Sequence, residues 1–216
     1  MDKYHIRLNT FAISLFLGTI FLLTPLLFFS SCPRYYQLRF EEYGVYDEFE
    51  SNFISEEKVN HQINNLILHL SPLTVNLDVD FYSKEDVLHL YDVKNIITFL
   101  YFVYILSIAY VLWFFKYKKS DINFKLLKKQ SQLYILAILV TGLITFFNFD
   151  YLFTFAHDVT FSNDYWLLDP NSSNLINFFP QSLFLEIFMI VIISNLLMHI
   201  SFIMLTEKFY GKRKTK

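Results

Sequence analysis

Two histidines, His89 and His157, stand among carboxylates in segments that border long apolar runs. Around His89 the sequence reads EDVLHLYDVK, which puts Glu85 four residues before it and Asp92 three after it. On a helix these residues share a face. A carboxylate beside an imidazole fixes its tautomer and raises its basicity, as a base and its orienting partner require. The same pattern also suits a solvated, charged first turn that happens to carry a histidine, and the spacing alone leaves both readings open. His157 is followed by Asp158, Asp164 and Asp169 within residues 154–180, a stretch without Lys or Arg that also holds four Asn and Trp166. A connection between two helices needs only a handful of residues. This one is longer, aromatic and rich in groups capable of proton transfer, so it is expected to form half of an active site. Trp166 suits an interfacial belt as well as a substrate platform. His5, His61, His69 and His199 have weaker settings and are assigned no role.

Other chemistries lack their residues. The four glycines, Gly18, Gly44, Gly142 and Gly211, are too scattered for a GxSxG elbow, a GxGxxG turn or a P-loop. There is no HExxH, and no His is followed five residues later by Asp. A single cysteine, Cys32, allows neither an internal disulfide nor a Cys metal cluster.

The elements that must position these residues are membrane helices. The 216 residues are 54% hydrophobic, with 26 Phe and 15 Tyr, too apolar for a soluble domain of this size. Residues 8–29 form an uncharged apolar run of about 33 Å as a helix, enough to cross roughly 30 Å of hydrocarbon. Ser30-Ser31-Cys32 after that run has the outline of a lipoprotein signal, but Phe29 occupies a position where a small aliphatic residue is usual, and an uncleaved first span reads better. Residues 33–82 are acidic and rich in Tyr. Alternation over 74–81 (TVNLDVDF) predicts a strand or two and 56–70 a helix, together a small folded cap. Ser83 and Asp86 make an S-x-x-D capping box, and no Pro or Gly interrupts 84–115, so one helix is expected there with its membrane-crossing part at 96–115. His89 then lies about 10 Å outside the apolar run, at headgroup depth. Two further spans are expected at 133–153 and 183–205. Asp150 and Glu186 sit near the outer ends of these, and either reach the interface or face the bundle interior.

The expected architecture is therefore a single all-α membrane domain over residues 1–216, with four transmembrane helices and two extracytoplasmic segments at 30–95 and 154–182. The N-terminus, the 116–129 loop and the C-terminal tail hold thirteen of the eighteen Lys and Arg. The other two loops hold five, against fifteen acidic residues. The positive-inside rule then puts both termini in the cytoplasm and the candidate site at the outer leaflet.

Two stretches carry a family resemblance. Residues 81–95, FYSKEDVLHLYDVKN, contain an aromatic, S/T, E, H-x-x-D-V-K pattern met by Phe81, Ser83, Glu85, His89, Asp92, Val93 and Lys94. Residues 155–184 contain His157, Phe161, an N-D-x-W-x-L-D-P run from Asn163 to Pro170, then Leu175, Ile176 and Pro180. These resemble the bacterial lipoprotein intramolecular transacylase family. Ala156, Thr160 and Asn174 depart from its pattern, touching packing and one polar contact but neither histidine. The resemblance implies transfer of the sn-2 acyl chain of a lipoprotein's diacylglyceryl group to the α-amino group of its N-terminal cysteine. His157 is the first choice for general base and His89 for the group that protonates the leaving oxygen or polarises the ester; the roles are exchangeable. Asp92, Glu85, Asp158, Asp164 and Asp169 are the expected supporting carboxylates. Tyr91, Asn163, Trp166 and Phe161 are the expected substrate contacts. The expected partners are the diacylated lipoprotein and membrane lipid, with no nucleic acid, no metal, no cofactor and a monomeric enzyme.

Two other classes fit the residues less well. A metal-dependent membrane hydrolase would use His89, His157 and nearby Asp as ligands. A non-enzymatic envelope sensor or assembly protein would use the acidic cap to bind a partner, but leaves unexplained two His–acid groups at one depth on one side.

Overall fold

The computed structural model describes residues 3–72, 75–118 and 122–214. The described residues form nine α-helices: α1 Lys3–Phe29, α2 Pro33–Arg39, α3 Val45–Ser51, α4 Glu56–Leu70, α5 Lys84–Tyr117, α6 Phe124–Phe147, α7 Phe149–Thr160, α8 Asn174–Phe178 and α9 Gln181–Lys214. Four stretches are long and apolar enough to cross a membrane: Tyr4–Phe29, Lys84–Tyr117, Phe124–Phe147 and Gln181–Lys208. The chain is an all-α, multi-pass membrane protein.

It divides into two compact units, Met1–Leu26, Phe102–Phe147 and Met189–Lys216 forming one, Leu27–Tyr101 and Asn148–Phe188 the other. The first is a bundle of membrane helices. Its packed centre is Ile13, Phe114 and Leu127, joined by Ile122. Gly142 lets α6 and α9 approach closely, since a Cβ there would lie 3.2 Å from Ile192 Cγ2. His199 is buried, stacked on Tyr134 at 5.1 Å with Phe21 edge-on at 4.9 Å.

The second unit holds both His89 and His157. Helix α4 buries Val59, Ile63, Leu66, Ile67 and Leu70, the apolar stripe of a surface helix, against Phe40, Phe49, Phe81 and Phe178. Ser55 caps it by accepting from Lys58 N at 3.4 Å.

The strand expected over 74–81 is not formed. Thr74 lies outside the described residues; 75–78 are irregular and Val79–Phe81 make a 3-10 turn. The alternation is real, but its backbone groups find side chains on α4 instead of a neighbouring strand. Asn65 donates to Asn76 O at 3.0 Å and accepts from Asp78 N at 2.9 Å, His69 Nδ1 meets Val75 O at 2.8 Å, and Gln62 donates to Asp78 Oδ2 at 2.5 Å. One amphipathic helix thus supplies the partners a ladder would have supplied.

The expected capping box opens α5: Ser83 N donates to Asp86 Oδ2 at 3.2 Å and Asp86 N to Ser83 Oγ at 3.0 Å. The span expected at 133–153 ends earlier. Asn148 leaves helical geometry (φ −140°, ψ 41°) and α7 begins at the next residue. The first part of the expected loop is therefore helix. Tyr151, Phe155 and Val159 form an exposed apolar stripe on α7, while Phe153 and His157 occupy another face.

Candidate active site

Helix α7 presents His157 with its tautomer already chosen. Nδ1 lies 2.7 Å from the carbonyl oxygen of Phe153, one turn back. A carbonyl only accepts, so Nδ1 carries a hydrogen, and in the neutral ring the lone pair lies on Nε2. The ring packs 4.2 Å from Phe153, 5.0 Å from Trp166 and 5.6 Å from Phe161, centroid to centroid. Phe184 backs Phe153 at 5.4 Å.

Helix α5 brings His89 to the same place. Its ring lies 6.0 Å from that of His157, tilted by 36°, with Phe161 edge-on at 4.9 Å. His89 is buried, and its Nδ1 has no hydrogen-bond partner among the described residues. Two imidazoles 68 residues apart in sequence therefore share one aromatic enclosure, close enough to act on one small group.

The expected supporting carboxylates fall in several different settings. Asp92 accepts from Asn163 Nδ2 at 3.0 Å, and Asn163 Oδ1 in turn accepts from Tyr165 N at 3.1 Å. Its hydrogen bond thus goes to the connecting loop. Glu85, Asp158 and Asp164 are exposed. Asp169 is a turn builder: its Oδ1 accepts from Asn171 N at 3.0 Å and its carbonyl from Ser173 N at 2.9 Å. Tyr91 packs against His69 on α4, at 5.5 Å, two residues along α5 and so on another face from His89. Phe161 and Trp166 pack against the histidines, and Asn163 reaches α5 through Asp92. Among the described residues, no three His, Cys, Asp or Glu side chains converge as metal ligands, so the ligand set of the hydrolase alternative is not assembled.

Two carboxylates have partners that the sequence does not indicate. Asp86, expected only as a capping residue, is fully buried; besides Ser83 N it accepts from Ser173 Oγ at 2.6 Å and Leu175 N at 3.4 Å. Glu186 is the centre of a second cluster. Arg39 donates to Glu186 Oε2 through Nε at 3.2 Å and through a terminal nitrogen at 2.7 Å, Tyr35 donates to Oε1 at 2.7 Å, and Tyr43 donates to Oε2. Burial and then the Glu186 carboxylate push the Tyr35 phenol above its ordinary range. The hydrogen bond to Glu186 comes first in raising Tyr43. The available signal was a lone carboxylate in an apolar helix with few cations outside the bundle to pair with it. Nothing in the spacing said which cation.

No curated protein matches the chain. Solved structures do. The in meso structure of the membrane integral lipoprotein intramolecular transacylase Lit from Bacillus cereus is 22% identical, covers 100% of both chains and superposes with a TM-score of 0.84. Two structures of variants of that protein, with a histidine replaced by arginine or by alanine, share the fold at TM-scores of 0.78 and 0.75 and identities of 22% and 23%. The arginine variant covers 98% of this chain and 95% of its own, the alanine variant 99% and 97%. The family described as lipoprotein intramolecular transacylase Lit matches over residues 9–184, most of the sequence, and the chain belongs to that family.

Proposed function

We propose that the enzyme moves the sn-2 acyl chain of a diacylglyceryl group, carried on the N-terminal cysteine of a lipoprotein, to the α-amino group of the same cysteine. The observation that carries this reading is the His89–His157 pair inside one aromatic enclosure. Donor ester and acceptor amine sit on one substrate residue, so the reaction calls for no acyl carrier. An α-amine has a pKa of about 7.7–8.0, so a neutral imidazole can take its proton at neutral pH as the nitrogen attacks.

His157 is the base. Its Nε2 accepts a proton from the amine as the nitrogen attacks the ester carbonyl carbon. Two imidazoles 6.0 Å apart are not both protonated without mutual repulsion. His89 therefore stays neutral while His157 is charged, and its N–H hydrogen-bonds the developing oxyanion. The bond from the acyl carbon to the sn-2 oxygen then breaks, and that oxygen takes the proton held by His157. The products are an amide and a free sn-2 hydroxyl, and both rings return to their starting state.

The enzyme acts as a monomer at the outer leaflet of the bacterial plasma membrane, with both termini in the cytoplasm, as the cation distribution supports. The test is a host lacking its own enzyme, complemented with each variant and scored by the mass of lipoprotein N-termini. His89→Ala and His157→Ala should each lose roughly 10²–10⁴-fold, the range for a general acid–base group. His157→Asn, which can still donate to the Phe153 carbonyl but has no basic nitrogen, should be as inactive as alanine. Wild-type conversion by the His157→Asn protein would remove the proposed base.

A further inference from the structure

The connection between α7 and α8 is tied to a single helix near both of its ends. Asn163 donates to Asp92 near its start, and Ser173 and Leu175 donate to Asp86 at its finish. Asp86 and Asp92 stand three residues before and three after His89, so the two ties flank the imidazole about one turn away on either side. Between them runs Trp166, 5.0 Å from the His157 ring. Phe161, just ahead of the first tie, lies 4.9 Å from His89.

Asp86 is the informative member. It is 0% exposed, and its hydrogen-bond donors are a hydroxyl and two backbone amides rather than a cation. Burying a carboxylate without a cation is costly, and capping a helix does not require it, since capping residues work at exposed helix starts. The burial follows from the second set of bonds, those that seize the loop. The site also has a reason to be closed. Water is a competing nucleophile for the same ester, and it enters any site left open.

Resting on the reaction proposed above, we propose that Asp86 and Asp92 are positioning residues that hold residues 161–173 closed over the imidazole pair, and that this closure decides whether amine or water receives the acyl chain. With the loop released, the same pair would run hydrolysis. The water oxygen bonds to the acyl carbon as His157 takes one of its protons, the bond to the sn-2 oxygen breaks, and that oxygen receives the proton. A fatty acid leaves, the glycerol hydroxyl is freed, and the cysteine amine stays unacylated. Loosening the ties should therefore change the product and not merely the rate.

The experiment uses the purified full chain with a synthetic diacylated lipopeptide, and mass spectrometry to measure N-acyl product and released fatty acid together. Ser173→Ala is the principal variant, because Ser173 bonds to Asp86 and to its own helix and is not an expected substrate contact. The ratio of fatty acid to N-acyl product should rise roughly fivefold, the scale of one lost hydrogen bond, and Ser173→Thr should restore it. Asn163→Ala tests the other tie in case the first variant fails to fold. A second readout needs no turnover. With Trp113→Phe, Trp166 is the only tryptophan, and its quenching by acrylamide should increase in both tie variants. An unchanged product ratio, or the loss of both products in equal proportion, overturns the proposal. If the wild-type chain makes no N-acyl product, the reaction itself is wrong, while unchanged Trp166 quenching would separately refute the ties.

Discussion

Single residues show where chemistry and stability part company. His89 and His157 were legible because an ionisable group beside an apolar run is expensive and stands out. Asp86 was legible only as half of a capping box, since its second role depends on Ser173 and Leu175, which no local pattern connects to it. Tyr91 was placed by proximity along the chain, and the two-residue step from His89 carries it to another face of α5. His69 looked unimportant, yet it is a buried structural imidazole whose Nδ1 holds Val75 O at 2.8 Å. Burial, with a smaller effect from Lys94, lowers its pKa from the ordinary 6.5, and the hydrogen bond to Val75 only partly opposes this. The unfolded chain then binds the proton more readily than the folded one, so this contribution to stability is complete above about pH 6.5 and is lost as the pH falls below it. The unfolding midpoint should drop between pH 7 and pH 5, and His69→Gln should flatten part of that slope. A slope unchanged by the substitution would place the acid sensitivity elsewhere.

Elements were legible where their signals are local. The helix at Glu56–Leu70 has a serine cap and an apolar stripe, and it forms where expected. The start of α5 was fixed by its capping box. The strand at 74–81 failed because alternation reports only that one face is buried, and here the other half of the ladder is a set of side chains on α4. The break at Asn148 had no Pro or Gly to announce it. Helix α2 and the turn after it are joined to the first turns of α9 by the Tyr35, Arg39 and Tyr43 bonds to Glu186. Glu186→Gln keeps the shape but removes the charge these donors share. It should destabilise the unit by roughly 1 kcal/mol, modest because Arg39 and Glu186 remain partly solvated. Tyr43→Phe should cost less. Thermal unfolding of the two proteins in one detergent gives the comparison, and a gain in stability for Glu186→Gln would mean that desolvation outweighs the bonds.

At the scale of the whole molecule, apolar length and charge segregation carried most of the argument. Four spans follow from composition alone, because a bilayer leaves few ways to satisfy a buried backbone. Convergence of His89 and His157 follows from their chemistry, since an acid and a base must both reach one ester, and the fold supplies the distance, 6.0 Å between the rings. The cation distribution predicts that a reporter active only outside the cell will be silent when fused after Lys216 and active when inserted after Asn52, an exposed residue between α3 and α4. The reverse result would turn the proposed site to the cytoplasm. Helix α7 carries a different consequence. Tyr151, Phe155 and Val159 are 70%, 52% and 70% exposed, a greasy keel on the same short helix that bears His157, the proposed base. A keel needs something to float on. Acyl chains covering this stripe would be part of the bearing that sets the imidazole, and a stiffened, gel-like bilayer would seat it differently from a fluid one. The working temperature of this enzyme would be written partly in the melting behaviour of its host's lipids.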